Sequence, residues 1–169
     1  QATVARFKHN DFIDAEKMVL RLDDLGYITK DQSKRQLAYI EYQEALQPKL
    51  SQEQKETCLR QAHYLDPSLT QVSEMLVELL QEQGLHAQAL SVLKATWDQA
   101  PTQKLGDLYL KILSPENERI AFEKVKEFVK KNPKNPESLL LLARTGLKAK
   151  LWGETRAALK QLIEKHPTT

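Results

Sequence analysis

The stretch GLHAQALSVLKATWDQAP, residues 84–101, decides the fold of this chain. Its small and apolar residues recur at the spacing of one helix face, and the stretch ends at Pro101. Proline lacks the backbone N–H that an α-helix needs, and its ring clashes with the preceding turn, so it ends the helix. Ala89 stands twelve residues before this proline and Leu93 eight before it, which places a small residue where two helices can cross. The stretch therefore predicts the second helix of a helix–turn–helix unit.

Similar proline junctions recur along the chain at spacings of 34, 32 and 34 residues. They are Asp66-Pro67, Ala100-Pro101, Asn132-Pro133 and His166-Pro167. The small-then-apolar pair also recurs, as Ala121 with Val125 and as Thr155 with Leu159, although Lys55 breaks the pattern in an earlier unit. The tetratricopeptide repeat (TPR) has a period of 34 residues, with one helix–turn–helix per repeat and a proline at its end. The junctions therefore predict a TPR-like array.

We predict an all-α fold, a TPR-like right-handed superhelical array of antiparallel helix pairs with about ten helices. Glycine is scarce, with 5 in the chain, and no stretch shows the alternating pattern of a strand. The whole chain is expected to be a single repeat domain that is truncated at both ends. Its expected units are a partial repeat at residues 1–30 and repeats at about 31–67, 68–101, 102–133 and 134–167.

Local patterns predict where several helices begin and end. A first helix is expected to end near His9, with Asn10-Asp11 as the turn before the second. Gly26 is expected to stop the second helix, because glycine adopts the left-handed conformation at a helix C-terminus without strain. Asp31 is expected to cap the third helix and Ser68 the fifth, since short polar side chains accept from free backbone N–H groups.

The charge distribution argues against nucleic-acid binding. The formal net charge is +2, from 25 basic and 23 acidic residues, which is too balanced for the clustered basic face that nucleic acids require. The densest basic run, residues 124–131, is interrupted by Glu127 and is interpreted as one solvated helix face. We therefore expect no nucleic-acid partner.

The residue types that usually carry chemistry are scattered. Cys58 is the single cysteine, so it forms neither an internal disulfide nor a thiolate cluster for zinc, and we expect it in the core. Phosphate-binding loops, nucleophile elbows and zinc-protease motifs are absent from the sequence. Trp97 and Trp152 are expected to be packing residues. The histidines lie far apart, at His9, His63, His86 and His166. We expect no catalytic residue, no metal and no cofactor, and therefore no enzyme.

The remaining candidate site is the concave groove that stacked helix pairs create. The first helix of each pair supplies its inner face. The repeat register predicts these inward residues: Gln71, Glu74, Glu78, Gln81, Glu137 and Arg144. The alternative is that all six are simply solvated polar side chains. If the groove is the site, it binds protein partners.

A set of short segments is spread over nearly the whole chain. They read NDF at 10–12, AEK at 15–17, LGYIT at 25–29, ATW at 95–97, NPES at 135–138 and LWGETR at 151–156. Together they resemble the HemY-type tetratricopeptide domain, and LWGETR is the most specific of them. Thr155 departs from the alanine that is usual at its position.

The HemY resemblance implies a bacterial inner-membrane protein with a membrane hairpin ahead of the repeats, in a segment that this sequence does not contain. It implies a repeat domain on the cytoplasmic side and an association with haem biosynthesis, with no established catalytic activity. We therefore expect a non-catalytic scaffold for protein–protein interactions, with haem-pathway enzymes as the partners that the resemblance suggests. The alternatives are a carrier that binds haem or a porphyrin, and a generic TPR adaptor in envelope assembly.

Overall fold

The structure is a computed structural model that describes residues 9–165. Within that range the chain is all-α, with helices and no strand. The helices are α1 His9–Asp24, α2 Lys30–Ala45, α3 Gln52–Leu65, α4 Thr70–Glu82, α5 His86–Gln99, α6 Gln103–Leu113, α7 Glu118–Phe128, α8 Pro136–Lys148 and α9 Trp152–Lys165. Short connections join successive helices, which is the connectivity of antiparallel helix pairs. The predicted all-α class is confirmed for the described residues, and the TPR-like, right-handed superhelical array stays a prediction.

Polar caps define the beginnings of several helices. Thr29 accepts from the backbone N–H of Gln32, whose side chain accepts in return from the Thr29 N–H. Ser51 and Gln54 form the same reciprocal pair at the start of α3. Each such capping box satisfies backbone donors that the first turn of a helix leaves free. The prediction that Asp31 caps this helix is wrong, because Thr29 takes that place and Asp31 lies in the first turn.

Left-handed residues end four of the described helices, with Ser114 (φ of +41°) capping α6. Gly26 has φ of +73°, and the Tyr27 N–H donates to the Leu22 carbonyl, as expected for the glycine that was predicted to stop this helix. Gly84 has φ of +74° in the turn after α4. Lys150 adopts the same left-handed conformation after α8, with φ of +57°, which is uncommon for a residue with a Cβ. The chain therefore turns back sharply between α8 and α9.

The chain divides into two compact units, Gln1–Leu79 and Leu80–Thr169. In the first, α2 packs against both α1 and α3. Leu59 and Ala62 of α3 are buried in this unit. Farther along, the His63 ring Nδ1 lies 3.1 Å from the Ser73 hydroxyl, which joins α3 to α4. The predicted single domain and its repeat boundaries stay predictions.

In the second unit an aromatic cluster forms the core. Trp97 of α5 is fully buried, and its ring centroid lies 4.7 Å from that of Phe128 in α7. The Tyr109 ring of α6 stacks on Phe128 at 3.9 Å and 11°. Asn132 then donates through Nδ2 to the carbonyl oxygens of Trp97 (2.8 Å) and Asp98 (3.0 Å). Asn132 thus ties the segment that follows α7 to the C-terminal end of α5.

The crossing of α8 and α9 is tight. Gly146 is buried, and a Cβ there would lie 2.8 Å from the Thr155 Oγ1 and 3.3 Å from the Phe122 Cε2. Thr155 is buried and donates through its hydroxyl to the Leu151 carbonyl. Threonine at position 155 is larger than the alanine expected there, so the facing position on α8 has room only for a glycine, Gly146.

Several local predictions are wrong. Asn10-Asp11 lie inside α1 instead of in a turn. Ser68 was predicted to cap α4, but α4 begins at Thr70, and the Ser68 hydroxyl donates to the Asp66 carboxylate at 2.6 Å. Trp152, which was predicted to be a packing residue, is 62% exposed. Two other predictions, the helix before His9 and the junction His166-Pro167, lie outside the described residues.

Candidate functional site

The first candidate site is a small recess between α6 and α8, which we call the α6–α8 recess. It has a volume of about 90 Å³. Its lining residues are Trp97, Gln103, Gly106, Glu137, Leu140, Leu141 and Arg144. In the predicted repeat register, α6 and α8 are the first helices of consecutive repeats. The recess is therefore built by the helices that were predicted to supply the inner face.

The floor of the α6–α8 recess is apolar and closely packed. Trp97 and Leu141 are buried, and Gly106 brings the α6 backbone against them. A Cβ at Gly106 would lie 3.0 Å from Leu141 Cδ2 and 3.5 Å from Trp97 Cζ3. Glycine costs about 1 kcal/mol relative to alanine inside a helix. Its presence here lets α6 approach the Leu141 side chain closely.

The rim of the recess is polar. Arg144 of α8 forms an ion pair with Asp107 of α6, and both side chains are substantially exposed. Glu137 lies in the first turn of α8, where the positive end of the helix dipole favours a carboxylate. Within residues 9–165 the side chains of Glu137 and Gln103 have no ion-pair or hydrogen-bond partner. The rim thus offers the Glu137 carboxylate and the Gln103 amide, both without a partner in the described range, beside the Arg144–Asp107 ion pair.

The structure brings only two of the six predicted groove residues into this recess. Glu137 and Arg144 line it together. Gln71, Glu74, Glu78 and Gln81 follow one another at helical spacing along one face of α4, where Gln71 and Glu78 are exposed and the other two half-buried. Their role as groove residues stays a prediction.

The sequence prediction missed Gln103, Gly106 and Asp107 on α6. A pattern that could have identified two of them was available, because Gln103 stands 34 residues before Glu137 and Gly106 stands 34 before Leu140. Applying the register of α8 to α6 would have placed these positions on the same face. The apolar floor could not be predicted from the sequence, because Trp97 comes from the preceding helix pair.

A second cluster lies in the first unit, between α2 and α3. Glu41, Glu44 and Cys58 place their potential ligand atoms within 4.8 Å of one another, and all three side chains are half-buried. Cys58 is therefore not the core packing residue that was predicted. Carboxylates and a thiolate are metal-ligand types, and the expectation that the chain binds no metal stays a prediction.

The electrostatics of this cluster favour the neutral forms of Glu41 and Cys58. Burial, and next the charges of Glu16 and Glu44, raise the pKa of Glu41 from 4.5 to about 7, and a hydrogen bond from the Cys58 thiol offsets part of that. Burial and the neighbouring Glu41 and Glu44 raise the pKa of Cys58 to about 12. A thiol with that pKa is protonated at neutral pH.

A third surface is the outer face of α9. Trp152, Leu159 and Ile163 are exposed along it, at 62%, 40% and 69%. They line an open depression of about 640 Å³ together with Arg156 and other side chains of the same helix.

Among the described residues, neither His63 nor His86 belongs to a cluster of potential metal ligands. Burial lowers the pKa of His63, which favours its neutral form. His86 begins α5. No helix within residues 9–165 is both long and apolar enough to cross a membrane.

Comparisons with known proteins give little further information. No protein-family model matches the chain, and no curated protein matches it. A solved structure described as "MamA MSR-1 C2" is similar over 90% of this chain and 84% of its own, with 13% identity and a TM-score of 0.35. At that TM-score the similarity supports no inference about fold or function. The interpretation therefore rests on the residues themselves.

Proposed function

We propose that this chain is a non-catalytic TPR-like scaffold that binds protein partners, and that the α6–α8 recess is part of its binding surface. One observation carries the proposal: side chains of α5, α6 and α8 converge on one recess with an apolar floor and a polar rim. Binding sites are typically concave and mostly apolar, with a few polar groups that orient the ligand.

The chemistry of the described residues supports binding over catalysis. Around Glu41, the groups with shifted pKa values include Cys58, whose thiol is protonated at neutral pH. The recess, in contrast, holds an ion pair and a carboxylate without a base–nucleophile pair. The geometry therefore fits recognition of another molecule.

The finer parts of the proposal rest on the sequence resemblance. We propose that the chain is the repeat domain of a HemY-like protein, anchored in a bacterial inner membrane by a segment outside this sequence. On this proposal the repeats lie on the cytoplasmic side, and the protein recruits haem-pathway enzymes. The segments LGYIT at 25–29 and LWGETR at 151–156 support this assignment.

Site-resolved cross-linking tests the scaffold function. A photoreactive phenylalanine analogue replaces Gln103 at the recess rim in the full-length protein, expressed in its own cells. The matched control carries the analogue at Lys126, an exposed residue of α7 outside the recess lining. We expect a specific cross-linked protein from position 103 that is absent from position 126, and direct binding when both proteins are purified. Equal products from both positions, or none from position 103, would contradict the proposal.

A further inference from the structure

The size of the α6–α8 recess restricts what can enter it. An apolar cavity of about 150 Å³ accommodates a benzene ring, and this recess has about 90 Å³. It therefore has room for one short aliphatic side chain and too little for an aromatic ring. The buried Trp97 and Leu141 and the close approach at Gly106 fix the depth of the floor, so the recess cannot deepen without repacking the helices.

The charges at the rim determine which ligand group can lie beside the aliphatic group that enters the recess. The Arg144 guanidinium is paired with Asp107, which balances its charge at the rim. Glu137 presents a carboxylate that has no partner within the described part of the chain. A ligand with a basic group beside its aliphatic group would complement that carboxylate.

The polar group on the other side of the recess suggests the backbone conformation of the ligand. The Gln103 amide offers both a donor and an acceptor, and its side chain has no partner within residues 9–165. An extended peptide has free N–H and C=O groups that can use both. A helix satisfies its own backbone groups and gains nothing from such an amide.

From these features we propose that the α6–α8 recess binds an extended peptide segment, with one short aliphatic side chain in the recess and an adjacent Lys or Arg against Glu137. The inference rests on the proposed scaffold function and names the class of partner sequence that it recognises. Glu137 and Gly106 are then the residues that determine specificity, the first for charge and the second for the shape of the floor.

A charge-reversal selection tests the proposal. Random twelve-residue peptides displayed on phage are selected against the whole chain, against Glu137→Lys and against Glu154→Lys. Glu154 is an exposed acid of α9 outside the recess and serves as the matched control. Circular dichroism and thermal unfolding confirm that each variant is folded before selection.

We expect the unmodified chain and Glu154→Lys to enrich an aliphatic residue next to Lys or Arg. Glu137→Lys is expected to enrich the same aliphatic residue next to Asp or Glu, a gain that a misfolded variant would not produce. For one synthetic peptide of the first class, fluorescence anisotropy should show affinity reduced about two- to fivefold by Glu137→Gln, as for an exposed ion pair. Replacing the aliphatic residue of that peptide with alanine should weaken binding about tenfold.

Three outcomes would overturn the inference: no enriched sequence, an enriched aromatic or helix-spaced pattern, or the same sequence class for Glu137→Lys as for the unmodified chain. If any of these occurs while position 103 still cross-links to a protein, the peptide class is wrong and the scaffold function stands. If position 103 also gives no cross-link, both fail.

Discussion

Replacing Glu41 with glutamine should stabilise the protein above neutral pH and have little effect in mild acid. The Glu41 carboxyl is half-buried, and Glu16, Glu44 and the Cys58 thiol surround it. Its pKa is about 7 in the folded protein and close to 4.5 when exposed, so the folded state holds this proton more tightly than the unfolded state. The free energy of unfolding therefore falls as the pH rises from about 4.5 to about 7, and then stays constant with respect to this group.

The magnitude follows from the difference between these two pKa values. At about 1.4 kcal/mol per pKa unit, full conversion gives about 3.4 kcal/mol. Solvent screens a half-exposed carboxylate, so we expect about 1–2 kcal/mol. Glu41→Gln keeps an acceptor for the Cys58 thiol and removes the charge, and it should recover that amount at pH 8.5 and much less at pH 5.

Urea unfolding followed by circular dichroism at pH 5 and pH 8.5 measures this difference. Glu53→Gln, an exposed acid on α3 of the same unit, is the matched control and should change little with pH. A variant at Glu41 that is no more stable than the unmodified protein at pH 8.5 would refute the reasoning. An equal gain at both pH values would also refute it, because an uncharged packing effect would then explain the result.

Three further predictions concern single side chains. Asn132→Ala should lower the free energy of unfolding by about 1–3 kcal/mol, because the Trp97 and Asp98 carbonyls lose their donor, and Asn132→Asp should lower it at least as much. Chemical denaturation measures both, and an unchanged free energy would contradict a stabilising role for these two hydrogen bonds. Ser51→Ala should cost about 1 kcal/mol in the same assay, whereas Ser51→Asp should retain most of the stability, and equal losses would exclude a capping role. The Cys58 thiol should react with Ellman's reagent at pH 8 more than tenfold more slowly in the folded protein than in urea, and comparable rates would show that its pKa is not raised.

The sequence predicted the fold class because each repeat carries its information locally. A proline after a helix, as at Pro67 and Pro101, ends that helix wherever it occurs, and Gly26 takes the left-handed conformation for its own steric reasons. The cap at α2 was misplaced by two residues because Thr29 and Asp31 are both good capping residues. The choice between them depends on which one has Gln32 three residues after it.

The candidate sites were harder to predict, because they depend on the rotation of one helix against another. The spacing of Glu41 and Glu44 puts both on one face of α2, but only packing shows that Cys58 of α3 lies opposite them. Trp97 and Trp152 show the same limit. Both were expected to pack, and one is fully buried while the other is mostly exposed on the last described helix. Composition alone cannot distinguish these two environments.

The close contact between Gly146 and Thr155 also restricts the order in which this chain can change during evolution. While threonine occupies position 155, a methyl group at position 146 would collide with its hydroxyl oxygen. A change of Thr155 to alanine removes that oxygen, and only afterwards can Gly146 become alanine and gain helix stability, with a small shift of the Phe122 ring that lies 3.3 Å away. The two positions should therefore be inherited as a pair, and homologues with alanine at both sites should be far more frequent than homologues with alanine at position 146 alone.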